Sequence, residues 1–327
     1  MIKTRQSFAR TALAAALILG GIASFTAPGA AHAAAPMVKT AAPGYYRLML
    51  GDFEVTALSD GTLALPVEQL LNTAPEKTDQ ALDAAFQPKP FEMNFNAYLI
   101  NTGSKLVLID TGAGHLLGAN LGKLVERLKA SGYQPEQVDE VYITHLHPDH
   151  VGGITADGKR VFPNAVVRVD KREADFWLSK ANKDKAISPD QKQRFDDASA
   201  ALAPYIQAQR FQPFSGDTDL VPGVRATSLV GHTPGHTGYV IESKGQKMLV
   251  WGDVMHVGAV QFPHPDVTIK FDVDSPQAEK AREQLLADAA SHGYLIAGEH
   301  LSFPGVGHVR KVGAGYQWLP VSYVEIH

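Results

Sequence analysis

Three histidines and one aspartate lie within six consecutive positions of this chain, residues 145–150. An apolar run, residues 138–143, precedes them and predicts a strand. Because residues i and i+2 of an extended chain point to the same side, His145 and His147 could bind one metal ion together. Such a density of metal-ligand atoms indicates a metal site rather than a solvated loop of histidines.

The second half of this motif predicts a second ion. Asp149 and His150 follow Pro148, and if a helix begins there their side chains point away from the first ion. Gly152 and Gly153 would let the backbone pass close to the site. Histidine and carboxylate ligands without a thiolate favour Zn2+, with manganese, iron and cobalt as alternatives.

Three later apolar runs each end just before a further potential ligand. His232 follows the first run, Asp253 the second and His300 the third. A carboxylate at a strand end can bridge two ions, and this is the role we expect for Asp253. His236 is expected to hold its neighbours by hydrogen bonding rather than to bind an ion. The predicted ligands are His145, His147 and His232 for one ion, Asp149, His150 and His300 for the other, and Asp253 for both.

These strand-end motifs, in this order, resemble the metallo-beta-lactamase superfamily. The resemblance implies an α/β fold, the four-layer αβ/βα sandwich with its metals at one edge of the two sheets. Within the superfamily, several segments resemble methyl parathion hydrolase and its periplasmic lactonase relatives. The resemblance covers roughly residues 45–325, and the segments that carry it are 101–108, 133–140, 174–179 and 300–305.

Hydrolysis is the chemistry expected of this site. Two divalent ions with two aspartates and neutral imidazoles leave a local positive charge, so a water between the ions should ionise near neutral pH. The bridging hydroxide, held by way of Asp149 and Asp253, would attack a carbonyl carbon or a phosphorus atom. Asp110 is expected to hydrogen-bond a ligand histidine rather than to act as the base.

The pocket, more than the metals, predicts the substrate, because a metal hydroxide hydrolyses lactones, esters and phosphotriesters alike. Compared with the methyl parathion hydrolase pattern, His256 replaces an apolar residue, and bulky Phe271 replaces a leucine. We therefore expect a small, uncharged, apolar substrate, an aromatic lactone or aryl ester of the dihydrocoumarin type, with phosphotriester hydrolysis as a side activity. The candidate wall residues, several of which could equally be core, are Leu70, Trp177, Phe195, His256, Ile269 and Phe271.

Three alternatives stay open at this point. The chain could be a phosphotriesterase of the methyl parathion hydrolase type, or an acyl-homoserine lactonase with a groove for an acyl chain. It could also be a periplasmic zinc-binding or ligand-carrying protein without turnover, although all seven expected ligand positions are filled. An acidic chain disfavours nucleic acid as a partner. The resemblance to the lactonase relatives implies a homodimer.

The first 33 residues have the order of a secretory signal. Lys3, Arg5 and Arg10 precede an apolar stretch, and the small-residue segment 31–33 follows it. Removal of the three cations would change the formal net charge from −4 to about −7. With no cysteine, the exported chain would have no disulfide. We predict a signal peptide at 1–33, a linker at 34–44 and a hydrolase domain at 45–327, periplasmic or secreted and free of the membrane after cleavage.

Several elements are predicted to position these residues. Residues 97–100 and 105–109 read as a strand hairpin. Leucines at helical spacing predict a surface helix over 116–131. The mostly polar segment 171–210 reads as helical with a break at Pro189, and it is either a lid over the site or an ordinary pair of covering helices.

Overall fold

The structure, a computed structural model, describes residues 35–326, and a compact unit begins at Ala41. The predicted signal peptide therefore lies outside the described residues. Across the described range, every helix is too short or too polar to cross a membrane.

Two sheets dominate the fold. The strands of the first half are β1 (Tyr45–Leu50), β2 (Phe53–Leu65), β3 (Phe91–Asn101), β4 (Leu106–Ile109), β5 (Glu140–Tyr142), β6 (Thr155–Ala156), β7 (Lys159–Arg160) and β8 (Val166–Arg168). β6 and β7 pair with each other, and the others form a sheet in the order β1-β2-β3-β4-β5-β8. The strands of the second half are β9 (Thr218–Val221), β10 (Val224–Ser228), β11 (Thr237–Ser243), β12 (Gln246–Val250), β13 (Leu295–Ala297), β14 (Val306–Val312) and β15 (Gly315–Pro320). They form the second sheet in the order β15-β14-β13-β12-β11-β10-β9.

Alternating side chains place each sheet between two apolar layers. In β3, Tyr98 and Ile100 lie in the core between the two sheets, whereas Leu99 packs on the outer face of the first sheet. In β12, Val250 lies in the same central core, and Leu249 packs on the outer face of the second sheet. Each sheet is thus buried on both faces.

Helices pack around the two sheets. They are α1 (Val67–Leu70), α2 (Pro75–Ala84), α3 (Leu124–Ala130), α4 (Pro148–Val151), α5 (Lys171–Trp177), α6 (Lys180–Lys185), α7 (Pro189–Gln207), α8 (Gly258–Gln261) and α9 (Ser275–His292). Leu202 of α7 is buried with the outer face of the first sheet, and Leu286 of α9 with that of the second. The predicted four-layer α/β sandwich is confirmed.

Strand direction brings the predicted ligands to one edge of the sandwich. β4 and β5 are parallel, and so are β12 and β13, so the carboxyl ends of each pair meet at the same edge. β10 is separated from β12 by the antiparallel β11 and therefore runs in the direction of β12. The segments that follow these strands contain Asp110, His145 to His150, His232, Asp253 and His300.

The predicted helix over 116–131 is wrong at its start, because α3 begins only at Leu124. Gly118 and Gly122 have φ angles of +93° and +79°, which interrupt a right-handed helix. Asp60 fixes this turn, since its carboxylate accepts hydrogen bonds from the backbone N–H groups of Gly122 and Leu124 at 3.0 Å each. Leucine spacing alone did not reveal that competing interaction.

Two other predicted regions are confirmed. β3 pairs antiparallel with β4, so the hairpin forms as expected. The segment 171–210 contains α5, α6 and α7, and Pro189 is the first residue of α7. Ser188 caps that helix, because its Oγ accepts a hydrogen bond from the N–H of Gln191 at 3.1 Å.

Candidate metal centre

Three histidines and Asp253 form the first ligand group, and all four are buried. Nδ1 of His147 lies 3.0 Å from Nε2 of His145 and 3.0 Å from Nε2 of His232. Oδ2 of Asp253 lies 3.5 Å from Nε2 of His145 and 3.2 Å from Nε2 of His232. Three ring nitrogens and a carboxylate oxygen converging on one point are a typical set of zinc ligands.

The second ligand group contains Asp149, His150 and His300 and shares Asp253 with the first. Oδ1 of Asp253 lies 3.1 Å from Nε2 of His150 and 3.0 Å from Nε2 of His300. Oδ2 of Asp149 lies 3.3 Å and 3.4 Å from the same two nitrogens. Asp253 therefore turns one oxygen toward each group.

Unpaired buried atoms test whether the two groups fit metal ions. Oδ1 of Asp253 and Nε2 of His150 are buried without a hydrogen bond of acceptable geometry, although they face each other. Buried polar atoms left in this state cost free energy that a bound cation would recover. Within each group, the ligand atoms all lie within 4.8 Å of one another. The two groups could therefore hold two metal ions.

Hydrogen bonds to the other ring nitrogen fix four of the ligand histidines. Partners of this kind orient the ring and set its tautomer, so that the nitrogen facing the ion carries a lone pair. The four contacts are Nδ1 of His145 to Oγ1 of Thr144 (3.1 Å), of His150 to Oδ2 of Asp110 (2.8 Å), of His232 to Oδ1 of Asp272 (2.8 Å) and of His300 to the carbonyl oxygen of Asn94 (3.0 Å).

Asp110 occupies a left-handed backbone conformation with φ +59°. A residue other than glycine adopts that conformation only where surrounding contacts hold it. Here Oδ1 accepts from the backbone N–H of Thr144 and Oδ2 accepts from its hydroxyl, both at 2.8 Å. The structure thus places Asp110 behind His150, in contact with its Nδ1.

His236 lies behind the carboxylate of Asp253. Its Nδ1 donates to the carbonyl oxygen of Leu229 at 2.8 Å, and its Nε2 accepts from the backbone N–H of Asp253 at 2.9 Å. Burial, with the neighbouring His232, lowers the pKa of His236 to about 3, which keeps the ring neutral for this pair of contacts. Gly252 permits the approach, because its φ is +62° and a Cβ there would lie 2.3 Å from Nε2 of His236.

The ligand histidines differ in how they bind protons in the absence of metal. Burial lowers the pKa of His145 and His147 well below the ordinary value, so their rings are neutral. Burial also acts on His300, but the carboxylates of Asp253 and Asp149 outweigh it and raise the pKa of His300 to about 10. Burial acts on His232 of the first group as well, but the carboxylates of Asp253 and Asp272 raise its pKa to about 9. An ion in either group would therefore displace a proton on binding.

A cavity of about 190 Å³ opens onto the ligand groups, and we call it the metal pocket. Its walls are mainly apolar and include Leu63, Met93 and Phe95. Arg194 of α7 and His256 add polar atoms to the wall. Larger cavities exist elsewhere in the structure, but this one contains Asp253 and is therefore where hydrolysis would occur.

Two of the six predicted wall residues line the metal pocket. Phe271 forms part of its wall. His256 is 1% exposed, and its Nε2 lies 3.0 Å from Oδ2 of Asp253. The ring of His256 also stacks on His300, with centroids 5.2 Å apart and an interplanar angle of 15°. Substitution of His256 would therefore change both the pocket and the environment of the Asp253 carboxylate.

The other four predicted wall residues lie elsewhere. Trp177 and Phe195 line a neighbouring cavity, and Trp177 also contacts His147 at a centroid distance of 5.3 Å. Ile269 is fully buried in an apolar cluster and forms a strand bridge with Leu71, and Leu70 packs against the same cluster. The structure thus does not bring Leu70 and Ile269 to the pocket, because both are used for packing beneath it.

Sequence reasoning missed Glu173, whose carboxylate links the segment 145–150 to the segment 232–236. Its Oε1 accepts from the backbone N–H of Leu146 at 2.9 Å and from Nε1 of Trp177 at 2.6 Å. Its Oε2 accepts from the N–H of Gly235 at 2.8 Å. Asp272 and Arg194 were missed as well. These residues lack a local signal, because the histidine segments and cavity walls that they adjoin are distant along the chain.

Comparisons with known proteins identify the family of this chain. A model of the metallo-beta-lactamase superfamily matches residues 93–300. An N-acyl homoserine lactonase of Bacillus thuringiensis is 26% identical over 166 residues, which span 45% of this chain and 58% of that protein. A beta-lactamase-like protein 2 homolog of Drosophila melanogaster is 29% identical over 161 residues, 48% of this chain and 46% of that protein. The chain thus matches about half the length of these curated relatives.

Solved structures match over more of the chain. A hydrolase of the beta lactamase superfamily, AbOPH, is 38% identical with a TM-score of 0.83, over 88% of this chain and all of that one. AidC, described as a dizinc quorum-quenching lactonase, is 27% identical with a TM-score of 0.78, over 86% of this chain and 99% of that one. These similarities support the predicted metal-dependent hydrolase.

Proposed function

Because this chain belongs to the metallo-beta-lactamase superfamily, as its strand-end motifs predicted, we propose that it is a two-metal hydrolase of lactones and carboxylic esters. The observation that carries this proposal is the position of Asp253, whose two oxygens face two separate ligand groups within about 3.0 to 3.5 Å. We propose Zn2+ for both groups, since their ligands are imidazoles and carboxylates.

The chain's own residues would divide the work as follows. When bound, two divalent ions supply a hydroxide at neutral pH and polarise the oxygen of the substrate. Asp253 and Asp149 would bind the ions and offset part of their charge, while Asp110 and Asp272 keep two ligand histidines in place. The apolar walls of the metal pocket would exclude water and favour an uncharged substrate.

Within this class we propose a small aromatic lactone or aryl ester of the dihydrocoumarin type. The metal pocket, at about 190 Å³, is smaller than the ~300–1,000 Å³ of pockets that bind drug-sized ligands. Phe95 and Phe271 offer aromatic surface to a planar ring. A compact ring would fit this space better than a long flexible chain. Phosphotriester hydrolysis would be a weaker side activity.

A second candidate, N-acyl homoserine lactone opening, is favoured by one structural feature. An apolar groove of about 360 Å³, lined by Phe91, Phe262 and Trp318, shares His300 with the metal pocket. An acyl chain lying in that groove would place its lactone ring beside the metals. The relative named as an N-acyl homoserine lactonase and AidC, described as a quorum-quenching lactonase, are consistent with this alternative.

Relative catalytic efficiencies would separate these proposals. We would compare dihydrocoumarin, methyl paraoxon, and acyl-homoserine lactones with six- and twelve-carbon chains on zinc-loaded protein. We expect dihydrocoumarin to exceed methyl paraoxon and to exceed both acyl-homoserine lactones. Dominance of methyl paraoxon would make this a phosphotriesterase, and a marked preference for the longer acyl chain would support the groove. Full activity after removal of metal by a chelator would contradict all three.

A further inference from the structure

A second cavity, the outer cavity, adjoins the metal pocket and has a different character. It has a volume of about 340 Å³. Phe176, Trp177 and Phe271 supply aromatic wall, and the rings of Phe176 and Trp177 meet edge to face at 5.1 Å. A cavity of this size and aromatic content suits a planar molecule of one or two rings.

Three cations border the outer cavity: Lys185, Arg194 and Lys270. Within residues 35–326, none of them forms an ion pair with a carboxylate, which contrasts with their neighbours on the same helices. Lys180 is paired with Asp184 at 2.7 Å, and Lys183 is paired with Asp196. An uncompensated group of cations attracts an anion.

One carboxylate also borders the outer cavity, but its oxygens are already used. Oδ1 of Asp272 contacts Nδ1 of His232 at 2.8 Å, and Oδ2 accepts from the N–H of Ile269 at 3.1 Å. The side chain of Asp272 is 1% exposed. It is therefore turned toward the metal centre, and it does not neutralise the three cations.

Arg194 and Phe271 separate the outer cavity from the metal pocket, since both residues line both spaces. The guanidinium carbon of Arg194 lies 5.5 Å from the ring centroid of Phe271, a cation–π distance. Trp177 of the outer cavity also lies at this boundary, because its ring contacts His147 of the metal pocket. A molecule moving between the two cavities would pass along Arg194 and Phe271.

We propose that the outer cavity is a binding site for an aromatic carboxylate. Its rings would stack against Phe176, Trp177 and Phe271, and its anionic group would face Lys185, Arg194 and Lys270. The role of the outer cavity in the reaction rests on the proposed function. Hydrolysis of an aryl lactone adds water across the ester C–O bond, giving one molecule with a phenol and a carboxylic acid that loses its proton. The outer cavity would receive that product as it leaves the metals.

Equilibrium binding of a probe that avoids the metals tests this proposal. We would titrate zinc-loaded protein with 2-naphthalenesulfonate, an aromatic anion that is a poor zinc ligand, by calorimetry. The neutral analogue 2-naphthalenemethanol serves as the matched ligand. We expect the sulfonate to bind more tightly than the alcohol. The variant Lys185→Gln/Lys270→Gln should bind the sulfonate about tenfold more weakly, as expected for two solvent-exposed charge contacts. Its affinity for the alcohol should be unchanged.

A control variant separates the loss of local contacts from the change in net charge. Lys180→Gln/Lys192→Gln changes two exposed lysines of α6 and α7 that do not line the outer cavity, and it should bind the sulfonate as the wild type does. Equal sulfonate affinity in wild type and Lys185→Gln/Lys270→Gln would overturn the proposal, and so would binding that disappears when zinc is removed. Because no substrate is turned over, failure here is distinct from failure of the proposed hydrolysis.

Discussion

The metal centre and the cavity walls are built in opposite ways. Around Asp253, ligand residues follow strand ends, and four of the ligand histidines are fixed by a further hydrogen bond. The walls of the metal pocket come from scattered segments, such as Met93 of β3 and Arg194 of α7, which contribute mainly through packing. The difference indicates that the chemistry depends on a few hydrogen-bonded positions. Selectivity would depend instead on the side chains that line the metal pocket.

Asp253→Asn should have the largest effect, because it weakens a ligand of both ions at once. We expect the loss of hydrolysis to exceed the ~10–100-fold cost of altering an outer hydrogen-bond partner. The metal content should also fall below that of the wild type. Elemental analysis and initial rates, with exposed Asp266→Asn as a control, would measure both. A variant that keeps wild-type rates would remove Asp253 from its bridging role.

Asp272→Asn should have an intermediate effect. The carboxylate that holds His232 becomes an amide, so the orientation and basicity of that ligand decline. We expect metal affinity or activity to fall by about 10–100-fold. A zinc-competition titration of the variant, with Asp266→Asn as the control, would measure this loss of affinity. Unchanged affinity in Asp272→Asn would mean that the strand-end ligands need no such support.

His256→Leu combined with Phe271→Leu should alter selectivity more than rate. Both residues line the metal pocket, and neither belongs to the predicted ligand set. We expect the ratio of phosphotriester to lactone efficiency to rise by about tenfold, within the ~10–200-fold range of small changes in apolar pockets. Metal content should fall less than in Asp253→Asn, because His256 contacts Oδ2 of Asp253 without belonging to the ligand set. If the ratio does not move, the assignment of these two residues to the substrate wall is wrong.

Trp177→Phe should have the smallest effect, since Trp177 lies between the two regions. The variant loses the hydrogen bond from Nε1 to Oε1 of Glu173, while Leu146 still donates to that oxygen. We expect about 1 kcal/mol of lost stability in urea unfolding. Activity should remain within a few-fold of wild type. A loss of bound metal in this variant would instead place Trp177 in the metal centre.

The difference between the metal centre and the cavity walls also explains which residues the sequence could predict. The ligand residues were predictable because each follows an apolar run, so the local pattern places it at a strand end. Asn94 and Asp272 were not, because they contact ligands 206 and 40 residues away. Leu70 and Ile269 were assigned to the pocket from resemblance, which gives position along a chain but not the direction of packing. The helix over 116–131 was wrong at its start because Asp60 holds the backbone in a turn.

Zinc titration of the metal-free wild type tests the central claim most directly. Hydrolysis of dihydrocoumarin would be followed as zinc is added in known ratio to protein. Two ligand groups joined by Asp253 predict that activity rises until about two equivalents are bound and then stays constant. Full activity at one equivalent, or without added metal, would contradict a two-metal site.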